Sequence, residues 1–312
     1  MAEVERVRTT RELYEEEGVS RHQLRTLCTQ GELTRVRRGA YSGGPQPDQR
    51  ERHRQLIAAT VPLLGAGSVV SHCSAAVLHG LPVPSDQLER VWATRPAGGN
   101  GRRGPVLHLR RCRLSADDIV VIHGVAVTSL VRTATDLARL LGIEWAVIVA
   151  DASLRLGLDR PELIEEAERA RAWPGGARAL SAARFASPLA ESPLESVSRL
   201  QLHRLGYPPA TLQFEVRSGG AVVATADFGW EDERLIGECD GKVKYGQLLR
   251  PGETPADAVM REKRREERIR SAGYWIARWG WAEAWNPSAL RRIVDAGFAL
   301  APGQGRPGTR VG

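Results

Sequence analysis

Residues Ala224–Lys244, ATADFGWEDERLIGECDGKVK, decide how the chain is read. Ala224–Trp230 reads as a short strand, Glu231–Glu233 as a tight acidic turn, and Leu235–Glu238 as a second strand. Asp227, Glu238 and Asp240 stand at the strand ends, and Lys242 and Lys244 follow at once. Side chains two apart on a strand share a face. Glu238 and Asp240 therefore point one way if the strand runs on through Cys239, and Asp227 meets them across the pair. Mg²⁺ or Mn²⁺ takes oxygen ligands and keeps several waters, so two or three carboxylates on rigid strands suffice to hold it. Such an ion activates water and stabilises charge on a phosphoryl oxygen, while a lysine steadies the anion.

The string D-F-G-W…I-G-E-C-D-G-K-V-K-Y resembles the PD-(D/E)xK nuclease superfamily, in particular its very-short-patch-repair-like branch. SPLESVSRLQLHRLGY (Ser192–Tyr207) is similar to that branch's first helix, with Glu195 in the position of its helical acid. Arg261–Ala272 followed by GYWIARWGW resembles its later helix and strand. The resemblance implies a restriction-endonuclease-like α/β domain with a mixed central sheet over residues 187–300. It also implies Mg²⁺-dependent hydrolysis of a DNA phosphodiester: Asp227, Glu238 and Asp240 hold the metal, Lys242 steadies the attacked phosphate, and Glu195 assists. One departure matters. Asp240 stands two residues after Glu238, where the common pattern has lysine. Either Asp240 and Lys242 take the acid-and-lysine role with Glu238 as an extra ligand, or the lysine is displaced and the domain is inert. Lys242, Lys244 and Lys263 are the three lysines among 44 basic residues. A chain so biased to arginine that spells lysine here favours a need for a compact ammonium.

With 312 residues the chain is long enough for two or three domains with their own cores. No apolar run approaches the roughly 18 residues of a membrane span, and the charged start MAEVERVRTTRELYEEE lacks the apolar centre of a signal peptide. A cytoplasmic protein is expected. Cys28, Cys73, Cys112 and Cys239 are scattered without a C-x-x-C pair, which argues against a zinc finger or a disulfide framework. The formal net charge of +7 suits a polyanionic partner.

At the front, residues 1–45 read as a winged helix-turn-helix. Arg11–Glu17 is a helix stopped by Gly18. Ser20 caps a second helix, Arg21–Gln30, which Gly31 ends. Leu24 and Leu27 give that helix its buried stripe and leave Arg21, Gln23 and Arg25 free for a major groove. Glu32–Tyr41 is a hairpin bent at Gly39, whose Arg35, Arg37 and Arg38 reach phosphates or the minor groove. The run VSRHQLRTLCTQGELTRVRRGAY resembles the N-terminal domain of the AbiE-type type IV antitoxin family.

Residues 50–186 read as an α+β middle domain, and SHCSAAVLHGLP and LVRTATDLAR…VADASL resemble the same family. Helices are expected at Glu51–Leu64, Ser129–Leu141, Glu144–Leu156 and Pro161–Ala172, and strands at Arg90–Thr94, Val106–Leu109 and Ile119–Val127. His72, Cys73 and His79 lack a fourth ligand and read as packing residues, and Arg132 with Asp136 as an ion pair four apart. Gly246–Ala258 reads as a loop and Met260–Gly273 as a charged helix laced by Glu262–Arg265 and Glu266–Arg270. Trp275, Trp279, Trp281 and Trp285 read as core. Residues 301–312 read as a disordered tail. Two functions compete. One is a DNA endonuclease targeted by the front module. The other is a DNA-binding regulator or antitoxin with an inert nuclease-like domain and a toxin protein for partner.

Overall fold

The computed structural model describes residues 7–44, 47–96, 101–240 and 253–303, and the chain divides into two units, 1–185 and 186–312. Lys242, Lys244 and the tail beyond 303 lie outside the described residues. No described helix is long and apolar enough to cross a membrane.

The first unit opens with β1 (Arg8–Thr9), a short π-type turn at Glu12–Glu16 where an ordinary helix was expected, and α1 (Arg21–Gln30). Ser20 accepts from the Gln23 N–H at 3.2 Å while Gln23 Oε1 accepts from the Ser20 N–H at 2.8 Å. Two of the donors left over at the helix start are thereby satisfied. Gly31, at φ 78°, ends the helix in the left-handed region that a side chain would strain. The hairpin of β2 (Leu33–Arg37) and β3 (Ala40–Gly43) turns at Gly39, and β1 adds a third strand beside β3. Leu13, Leu24 and Leu33 form the small core beneath them.

Then come α2 (Gln49–Thr60), β4 (Val69–Val70), α3 (His72–His79), β5 (Val91–Arg95), β6 (Arg102–Arg103), β7 (Leu107–Arg111), β8 (Ile119–Ile122) and β9 (Val125–Thr128). They build a six-stranded mixed sheet in the order β6-β7-β5-β4-β9-β8. The single strand expected at Ile119–Val127 is a hairpin, because His123 and Gly124 both take positive φ and reverse the chain. Four helices follow: α4 (Leu130–Leu140), α5 (Ile143–Arg155), α6 (Arg160–Arg169) and α7 (Gly176–Phe185). The last of these lies beyond the middle-domain helices expected from the sequence, the final one of which is Pro161–Ala172. Asp136 accepts from Arg132 Nε and Arg139 Nη1, both at 2.9 Å, in a buried pairing. His53, His72 and His79 are held by the protein: His53 bonds Leu88 O and Ser74, His72 Nδ1 lies 3.0 Å from Ser71 Oγ, and His79 lies 2.7 Å from Thr128 O.

The second unit runs α8 (Pro193–Arg204), β10 (Thr211–Ser218), β11 (Ala221–Trp230), β12 (Leu235–Cys239), α9 (Pro255–Ser271), β13 (Trp275–Trp279), α10 (Trp281–Ala284) and α11 (Pro287–Leu300). Its four-stranded sheet, β10-β11-β12-β13, is mixed, since β12 and β13 alone pair in parallel. Helix α9 starts inside the expected loop. Thr254 caps it, Pro255 fits its first turn, and Asp257 closes a capping box. Trp279 is 2% exposed, but Trp281 and Trp285 are 41% and 40% exposed, so they are not core.

Candidate functional site

The register of β11 and β12 sets Phe228 against Gly237, which puts Asp227 opposite Glu238 on one face. On its other side Glu238 pairs with Arg278 of β13. Asp227, Glu238 and Asp240 line a cleft of about 700 Å³ with α9 residues, among them Arg261, Lys263 and Arg265. Burial, with help from the nearby charges of Glu195 and Glu238, pushes the Asp227 carboxyl up to about 6; the Cys239 N–H, 2.6 Å from its Oδ2, works against the rise. Glu195 is buried at the start of α8, where Oε2 accepts from the Glu191 N–H and Gln213. Burial first, and then the charges of Asp227 and Glu195, hold the Cys239 thiol well above its ordinary value, which disfavours a thiolate there.

As arranged, these residues do not fit the expected Mg²⁺ or Mn²⁺. Glu238 already has two cations: Arg278 Nε donates to Oε2 at 3.0 Å, and Arg265 Nη1 lies 2.6 Å from Oε1. The second approach is off the hydrogen-bond axis, so Oε1 is charge-paired without receiving a hydrogen bond. Asp240 is exposed, and its backbone N–H donates to Trp279 O. Among the described residues no three of His, Cys, Asp and Glu form a metal-holding group. The fold thus brings Glu195, Asp227 and Glu238 into one electrostatic neighbourhood, while guanidinium groups sit where a cation was expected. Lys242 lies outside the described residues. Arg278 is not linked to Glu238 by any local pattern, because parallel pairing joins residues 40 apart, and Arg265 reads in the sequence only as the partner of Glu262 on its own helix.

On α1, Arg21, Gln23 and Arg25 are exposed and Leu24 is buried. Gln23 spends its side-chain oxygen on the capping box. Arg35 and Arg38 are exposed on the hairpin. Arg37 departs from its expected role. Its Nε donates to Ala59 O at 2.8 Å and its Nη2 contacts the same oxygen, so it fastens the hairpin to the last turn of α2. That carbonyl end of a helix is a natural seat for a cation.

Residues 9–42 match the family model described as transcriptional regulator, AbiEi antitoxin. An uncharacterized protein of Mycobacterium tuberculosis, MT2308 in strain CDC 1551 and Rv2248 in strain H37Rv, is 29% identical over 266 residues. The match takes in 80% of this chain and 93% of that relative. Among solved structures, the RV2827C protein from M. tuberculosis aligns with a TM-score of 0.37 and 16% identity, over 62% of this chain and 74% of that one. The front module is therefore similar to an antitoxin-type transcriptional regulator domain.

Proposed function

We propose that the chain is a DNA-binding transcriptional regulator of the antitoxin type, which reads duplex DNA through residues 9–42. One observation carries this reading: the regulator match begins and ends on the module that presents a capped helix and an arginine-bearing hairpin. Helix α1 enters the major groove with Arg21 and Arg25, one turn apart, toward base edges, while Arg35 and Arg38 hold phosphates. Arg37 fixes the hairpin's angle without touching DNA. A toxin protein is the partner that an antitoxin would require. Fluorescence anisotropy of the full chain on the duplex upstream of its own gene tests the reading. Arg21→Ala with Arg25→Ala should weaken binding at least about tenfold, each lost base contact being worth about 1–3 kcal/mol. Equal binding by the variant and the wild type, or no binding by either, overturns it.

A second reading concerns the C-terminal unit alone: a DNA phosphodiesterase, for which Arg265 and Arg278 would have to leave Glu238 before Mg²⁺ could be held there. It is favoured by Asp227 facing Glu238 with Glu195 in the same field, at the base of an open cleft. The two guanidinium groups on Glu238 count against it. Plasmid incubated with Mg²⁺ and the protein, beside Asp227→Ala, decides. Nicking that disappears in the variant supports the hydrolase; equal nicking or none removes it.

A further inference from the structure

Residues 90–116 contain seven arginines and neither aspartate nor glutamate, in a chain with 37 acids among 312 residues. The fold turns that composition into a place. Strands β6 and β7 are the outer edge of the six-stranded sheet, with Arg102 opposite Leu109 and Arg103 opposite His108. Alternation sets Arg102 and Arg111 on one side of the edge, and Arg103 and Arg110 on the other. Arg102, Arg103, Arg111 and Arg113 are exposed, and among the described residues none of the four has a carboxylate partner. Of these four, Arg103 is felt at His108, whose imidazole is held below its ordinary value by burial and then by Arg110, Arg103 and Arg90.

This edge adjoins the front module. Pro105 and Val106, in the turn between β6 and β7, line a cleft of about 460 Å³ together with Arg37, Arg38 and Arg52; Glu89 is its one acid. Val36 of β2 packs on the same core as Val106 and Leu107. The arginine edge thus continues from the hairpin of the front module.

We propose that the β6–β7 edge is a second duplex-DNA contact, a sequence-independent clamp on the phosphate backbone that extends the footprint of the α1 and β2–β3 module. The inference rests on the DNA-binding reading of residues 9–42. Guanidinium groups suit phosphate because they are planar, always charged and only weakly hydrated. An edge strand also uses cationic side chains to deter pairing with another sheet. That role would need no phosphate, so it predicts no change in DNA binding.

The test is the full chain carrying Arg102→Gln, Arg103→Gln, Arg111→Gln and Arg113→Gln, all exposed positions, with circular dichroism to check the fold. Anisotropy is read on a random-sequence 30-base-pair duplex from 50 to 200 mM salt. Each phosphate contact adds about 0.9 to the magnitude of the slope of log K against log salt, so loss of four contacts should make the slope shallower by about 3.6. Affinity should drop at least tenfold, and by a similar factor on the upstream duplex. An unchanged slope and affinity overturn the proposal. Edge-dependent binding that is tighter to an RNA of equal length than to the duplex also overturns it. The pair Arg21→Ala and Arg25→Ala separates the two readings. If that pair leaves upstream binding intact while the edge variant loses duplex binding, the module reading fails and the clamp stands. If only the pair matters, the reverse holds. Absence of duplex binding by the wild type overturns both.

Discussion

Asp227 carries the clearest consequence of a single residue's surroundings. Its folded-state value near 6 lies above the ordinary 3.8, so the folded chain binds that proton more readily than the unfolded chain. The associated stability is fully present below about pH 4, is lost as pH rises through about 6, and stays lost above. Asp227→Asn should therefore raise urea stability at pH 7.5 by up to about 3 kcal/mol, with little effect below pH 4. Equal gains at both values would show that the carboxyl's charge is not the cause. Two glycines of the same strand pair act through space instead. A Cβ on Gly229 would sit 2.1 Å from the Phe214 ring, and one on Gly237 would sit 2.4 Å from the Trp279 ring. Either alanine substitution should cost about 1–3 kcal/mol of overpacking, read as a lower urea midpoint.

Among the elements, α1 depends on its ends. Ser20→Ala removes the cap and should lower stability by about 1 kcal/mol, weakening DNA binding only as far as the helix frays. In α4, Asp136 serves buried Arg132 and half-buried Arg139 at once. Asp136→Asn leaves Arg132, 4% exposed, with only the more distant Asp118 for a carboxylate, and should cost about 3–5 kcal/mol. Denaturant titration of the purified variant checks the figure. A loss below about 1 kcal/mol would mean that Asp118, 3.3 Å from Arg132 Nη1, takes over the charge.

At the scale of the whole molecule, the chain holds two units, each with its own buried cluster: Leu56, Ile57 and Val70 in one, Phe214, Ile236 and Ile269 in the other. Separate cores need not melt together. Calorimetry should give a heat of unfolding larger than the van't Hoff value, and Gly237→Ala should move only the part of the transition that belongs to residues 186–312. A single transition with equal heats would show that the two cores unfold as one.

Much of the local structure was legible because its causes are local. Ser20 with Gln23, Gly31 and the Gly39 bend announce α1 and its hairpin through capping and positive φ. Thr254, Pro255 and Asp257 carry the same kind of signal for α9, within a run whose prolines and glycines also read as a loop. In the C-terminal unit, alternation along β11 and β12 already implied that Asp227 and Glu238 share a face. What occupies Glu238 was not written in any local pattern. Arg265 reaches it from a helix and Arg278 from a parallel strand 40 residues on, and which cation meets a carboxylate depends on contacts between distant segments. Arg37 followed the same rule, since its partner is a carbonyl 22 residues away. The sequence by itself determined the capped helices, the strand pair and the arginine-rich, acid-free run, each a matter of residues a few positions apart. Only the tertiary structure decided which arginines remain open to a phosphate and which are spent on the protein, because that depends on the pairing of strands and the docking of helices from far along the chain.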